Sequence, residues 1–152
     1  MKQLFFLLSF CLMALSVNAQ LFDARIEINY SNASIHGMSE ETFAEYEKDW
    51  YKDKPQIQTL IIDGIMDEAE SYLLLNKDAN NSIQIDVTRI TKNGGIDCVV
   101  TCYSNGTPLF KYNAQCTKGG TYGTKLNLIK DGAKKIGKTI GKILAKELNK
   151  RK

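Results

Sequence analysis

The chain has 152 residues, of which 43% are hydrophobic and 24% charged, with a formal net charge of +3. That length bounds one ordinary domain with a real core. Three cysteines remain beyond the leader described next, an odd number that excludes a disulfide-stapled miniprotein.

Met1-Lys2 opens positively, and Leu4 to Val17 is an apolar run broken only by Ser9 and Ser16. Val17-Asn18-Ala19 then places small residues at the −3 and −1 positions of a cleavage site. This is the pattern of a secretory signal peptide. The run of about 14 residues falls short of the roughly 20 that a spanning helix needs, and no second run of that length follows. The expectation is a signal peptide over 1–19, cleavage near Ala19, one domain over 20–152, and a secreted or periplasmic location. Cys11 would leave with the leader, and Phe10 before it makes a poor lipoprotein acceptor.

Ala24, Ile26, Ile28 and Tyr30 alternate with Arg25, Glu27 and Asn29, which predicts a half-buried strand over 24–30. Asn32 to Ile35 continues it past an irregularity. Ser39 is a good N-cap, with Glu40 and Glu41 in the first turn. Met38 and Phe43 are placed as a hydrophobic staple. Phe43, Tyr46, Glu47, Trp50 and Tyr51 recur at helical spacing, and Pro55 is expected to end or kink that helix. A second helix is predicted from about Gln56 to Tyr72, with Ile57, Leu60, Ile61, Ile65, Ala69 and Tyr72 on one stripe.

Asn76 to Ser82 reads as a polar loop. Ile83, Ile85 and Val87 then alternate with polar residues. Asn93-Gly94 predicts a type I′ hairpin setting Val87 opposite Val100 and Ile85 opposite Cys102. A three-residue loop at Ser104-Asn105-Gly106 would set Val100 opposite Phe110 and Cys98 opposite Tyr112. The resulting meander carries Ile83, Ile85, Val87, Cys98, Val100, Cys102, Phe110, Tyr112 and Ala114 on its inner face. Its other face should be wet. After the flexible Lys118–Gly123 link, a helix is predicted from about Lys125 to Asn149. Leu126, Ile129, Ala133, Ile136, Ile140, Ile143, Leu144 and Leu148 form its apolar stripe. Gly132, Gly137 and Gly141 cost about 1 kcal/mol each against Ala, so close backbone approach should compensate.

Charge is unevenly placed. Residues 125–152 carry ten Lys or Arg against Asp131 and Glu147, whereas residues 20–124 carry nine basic and fifteen acidic groups. Mutual attraction within the fold is the favoured reading, against a basic tail seeking an anionic partner.

Cys98 and Cys102 would lie about 13 Å apart in a regular strand at roughly 3.3 Å per residue. That is too far to bridge, and buried apolar thiols are favoured. His36 is the one histidine, and no C-x-x-C or H-x-x-x-H occurs, so no metal site or cofactor is expected. A His36–Cys pair is the one formal nucleophile arrangement. Gly119 to Gly123 precedes a helix but lacks the phosphate-loop spacing. Asn32, Asn80 and Asn105 head glycosylation sequons, which matter only in a eukaryotic source. Tyr46, Trp50 and Tyr51 could form a platform for a sugar or peptide, against a core reading. The final helix, in isolation, looks like a membrane-surface peptide acting through Lys134, Lys135, Lys138 and Lys142, against a docked reading.

The strand–helix–strands–helix order, the Gly119-Gly120-Thr121-Tyr122-Gly123 link, and Gly132, Gly137, Gly141 and Leu144-Ala145 in the last helix resemble a family of envelope domains. That family includes the periplasmic domain of the curli secretion channel and the lipoproteins that activate penicillin-binding proteins. The likeness covers residues 83–148. It implies a non-catalytic interaction domain in a bacterial envelope. The chain departs from it by lacking a lipoprotein cysteine at the cleavage site.

The expected fold is α+β in two layers: an antiparallel sheet of about four strands covered on one face by two or three helices. The expected function is an exported, non-catalytic binding or assembly module. The alternatives are a membrane-surface protein using the last helix and a small secreted hydrolase. The expected partner is a protein or an anionic membrane surface, and no nucleic acid.

Overall fold

A computed structural model describes residues 20–152, so the signal peptide expected over 1–19 lies outside the described residues. The elements in order are β1 (Phe22–Asn29), β2 (Ser34–Ile35), α1 (Glu40–Tyr46), α2 (Trp50–Ala69), β3 (Leu73–Leu75), β4 (Asn81–Ile90), β5 (Ile96–Ser104), β6 (Thr107–Cys116) and α3 (Lys125–Asn149).

The fold is α+β, but the sheet is mixed rather than antiparallel and has six strands rather than four. Its order is β3-β1-β4-β5-β6, with β2 beside β4. β1 runs parallel to both β3 and β4. The reason is the crossover: α1 and α2 carry the chain back to the end where β1 began, so the returning strands share its direction. β3 escapes the sequence pattern because three consecutive leucines show no alternation. The helices cover one face of the sheet, and Tyr112 Oη of β6 donates to the Ile140 carbonyl of α3 at 3.3 Å.

The inner face of the meander is as expected, with Ile83, Ile85, Val87, Cys98, Val100, Cys102 and Ala114 buried and Phe110 and Tyr112 half-buried against them. The register differs. Ile85, not Val87, lies opposite Val100, and Val87 lies opposite Cys98. Residues 91–95 form a longer loop in place of a two-residue turn. The Gly94 amide donates to Thr91 O, and Gly95 N–H donates to Thr91 Oγ1. A bulge between Val87 and Arg89 absorbs the remaining offset. On the other side, Val100 lies opposite Tyr112 and Cys98 opposite Ala114. There the loop is the two-residue Asn105-Gly106, with φ of 49° and 81°, the type I′ signature. Both slips move the pairing by two residues, so every side chain keeps its face.

Ser39 caps α1 as expected, accepting from Thr42 N–H. The helix break falls at Glu47–Asp49, and Pro55 lies inside α2 instead of ending a helix. Packing decides this. The break folds Trp50 back so that its ring meets Phe43 edge-on at 5.3 Å, which two turns of one straight helix would not permit. α2 ends at Ala69, before Tyr72. Ile57, Ile61, Ile65 and Ala69 are buried, as are Leu126, Ile129, Ala133, Ile136, Ile140, Leu144 and Leu148 of α3.

The two helices approach closely through their glycines. A Cβ on Gly141 would lie 2.6 Å from Ile65 O, and one on Gly64 would lie 2.7 Å from Lys134 O. The charge asymmetry folds back on itself at the same seam. Lys130 pairs with Asp53 at 2.9 Å, Lys125 with Glu47 at 2.9 Å and Lys138 with Asp67 at 3.6 Å.

Candidate interaction surface

The apolar stripe that would insert α3 into a membrane surface is buried between α2 and the sheet. What faces outward is its lysines. Lys134, Lys135 and Lys138 line a hollow of about 410 Å³ with Asp131 and Gly119, and Lys142 is exposed one turn beyond Lys138. Lys135 Nζ donates to the Gly119 carbonyl at 2.6 Å. Lys134 also borders an acidic hollow with Asp63, Asp67 and Glu70. The structure therefore brings three of the four lysines together, but Asp131 and Asp67 offset part of their charge.

The three aromatic candidates part company. Trp50 is fully buried, edge-on to Tyr30 at 5.9 Å, and its Nε1–H donates to Glu40 Oε1 at 2.9 Å. Tyr46 and Tyr51 are 70% and 57% exposed. Trp50 is thus a core residue because α2 begins there, and only the two tyrosines remain available to a ligand.

His36 occupies the first position of a tight turn between Ile35 and Met38, at φ 54°, with Gly37 at φ 84°. Its ring packs edge-on to Phe43 at 4.9 Å, and Nε2 is enclosed with no hydrogen-bond partner among the described residues. Burial, then the nearby Lys125, holds its pKa below the usual imidazole value. Burial pushes the Cys98 and Cys102 thiols up to about 12. Cys116 Sγ is half-exposed and donates to the Lys118 carbonyl. Among the described residues, no three His, Cys, Asp or Glu side chains gather as a metal-holding group, and no helix is long and apolar enough to cross a membrane.

Two features escaped the periodicity argument. One is a hollow of about 430 Å³ at the end of the sheet, lined by Leu21, Asp23, Tyr72, Leu109, Arg151 and Lys152 among others. Asp23 Oδ1 is buried there without a partner among the described residues. Arg151 stacks over Phe110 at 4.7 Å and Lys152 over Tyr72 at 4.5 Å. The other is the outer edge of β6, ten residues long and, among the described residues, paired only with β5. A signal for it exists in the sequence: no Asp or Glu occurs from Cys98 to Lys130.

In comparison with known proteins, the chain matches no family model, no curated protein and no solved structure.

Proposed function

We propose that the protein is an exported, non-catalytic binding or assembly module of the periplasm or cell envelope, with a protein as its partner. One observation carries this reading: the one histidine and two of the three described cysteines are spent on packing. Cys98 and Cys102 lie in the core with thiols held protonated, and His36 is wedged against Phe43 with Nε2 enclosed. A nucleophile needs its thiolate and a base within hydrogen-bond reach. The signal-peptide pattern and the resemblance to envelope interaction domains support the same reading.

The test uses the chain over 20–152 and its His36→Ala variant. A panel of ester, peptide, glycoside and phosphoester substrates should show no turnover above buffer. A photo-crosslinker at an exposed sheet position such as Asn113 should yield one discrete protein adduct in the native host. Turnover lost with His36→Ala would favour the secreted-hydrolase alternative and overturn the reading.

The second reading is contact with an anionic membrane surface through Lys134, Lys135, Lys138 and Lys142. The shared hollow of the first three favours it. It requires co-sedimentation with anionic vesicles that weakens as salt rises, because exposed charges are screened. It also requires loss of that binding on changing the four lysines to Glu. Truncation at Gly123 is no control, since it removes the helix that fills the core.

A further inference from the structure

Resting on the binding-module reading, we infer that the free edge of β6 takes an extended, acidic segment of a partner protein as an added strand. An edge strand presents unpaired backbone N–H and C=O groups at alternate residues, which a partner strand can satisfy. At the opposite edge of the sheet, β3 covers the start of β1, and the Arg25 guanidinium donates to Ala79 O beside it. Among the described residues, β6 has no such cover. Pro108 and the bulge at Leu109, opposite the step from Cys102 to Tyr103, interrupt its first residues, which leaves Phe110 to Cys116 regular.

Charge selects the occupant. Lys111 lies in the middle of this edge strand. Lys135 reaches the Gly119 carbonyl just past its end. Arg151 stacks over Phe110 near its beginning. Of the carboxylates near it, Glu147 is already shared between Lys150 and Arg151, Asp97 opposite Gln115 is paired with Arg89 at 2.6 Å, and Asp131 lies beside Lys135. The stretch from Cys98 to Lys130 supplies no acid of its own. A second copy of β6 would bring like charges to the same seam, which disfavours self-pairing. An acidic strand meets cations along its length. Phe110 and Tyr112, stacked at 6.2 Å and half-buried, offer apolar contact to its alternate side chains.

The probe is an acetylated, amidated octapeptide of alternating Val and Glu, titrated into the chain over 20–152 at low salt. A Val/Lys octapeptide and a Val/Glu octapeptide N-methylated at alternate residues serve as controls. The expected result is saturable binding of the Val/Glu peptide alone, with amide shifts confined to Phe110–Cys116. Lys111→Glu, an exposed change that leaves the core intact, should weaken binding about fivefold, the effect of an exposed charge pair lost and reversed. Four outcomes would overturn the inference: no shift at millimolar peptide, equal binding of the lysine or N-methylated peptide, shifts on the α3 lysines instead of β6, or no effect of Lys111→Glu. None of these bears on whether the protein is a binding module. Substrate turnover or vesicle binding decides that separately.

Discussion

Gly64 of α2 and Gly137 of α3 stand back to back: a Cβ built on either would lie 3.0 Å from the other's Cα. The Cβ on Gly137 would also run into the Ile61 carbonyl. This is backbone, which cannot swing aside as a side chain can. The glycines that weaken α3 as an isolated helix are therefore what let it lie against α2.

Gly137→Ala should destabilise the fold despite a gain in helix propensity of about 1 kcal/mol. The net loss should be about 1–3 kcal/mol, the usual cost of overpacking. Urea unfolding would show it as a lower midpoint at unchanged slope. A neutral or raised midpoint would mean the helices can separate without cost.

Stability should fall as the solution is acidified below about pH 6.5. His36 has a folded pKa below its unfolded value, first because burial disfavours its charge and then because of Lys125. In that window the unfolded chain binds the proton that the folded chain refuses. The stabilisation is thus complete above the unfolded pKa and lost on the acid side. His36→Asn, which tolerates the positive φ at this turn, should flatten the slope in denaturant midpoints between pH 7 and 5.

Thiol reagents should separate the cysteines. At pH 8 a thiol with a pKa of about 12 is ionised in roughly one molecule in ten thousand, and both Cys98 and Cys102 are also shut off from solvent. Cys116 alone should label in the folded protein, and all three in urea. Rapid labelling of Cys98 or Cys102 would show that the sheet's inner face opens.

The turn assignment is testable at two Asn-Gly pairs. Gly106 sits at φ 81° in a two-residue loop, with nothing near the position of a Cβ. Gly106→Ala should therefore cost only the left-handed backbone term, about 1–2 kcal/mol. Gly94 combines φ 76° with a collision against the Leu128 carbonyl, so Gly94→Ala should cost more. Equal midpoints for the two variants would contradict the packing of α3 on the 91–95 loop.

Local periodicity made a good part of this protein legible. Alternation assigned Ile83, Ile85, Val87, Cys98, Val100, Cys102 and Ala114 to the inner face, and helical spacing assigned the buried stripe of α3, because side-chain direction repeats with the backbone. Ser39 was readable as a cap for the same local reason. Trp50 was not separable from Tyr46 and Tyr51, since all three fit one helical face until the break at Glu47–Asp49 gives Trp50 to the core.

By itself, then, the chain determined which residues turn inward, that the class is α+β, and that α3 needs a close neighbour. Tertiary structure alone decided the parallel pairing of β1, the two-residue slips in both hairpins, the fate of Trp50 and the docking of the cationic helix on an acidic one. The reason is physical. Facing is set within a few residues, whereas direction, register and partner are set by how loops and helices close over distances no local pattern spans.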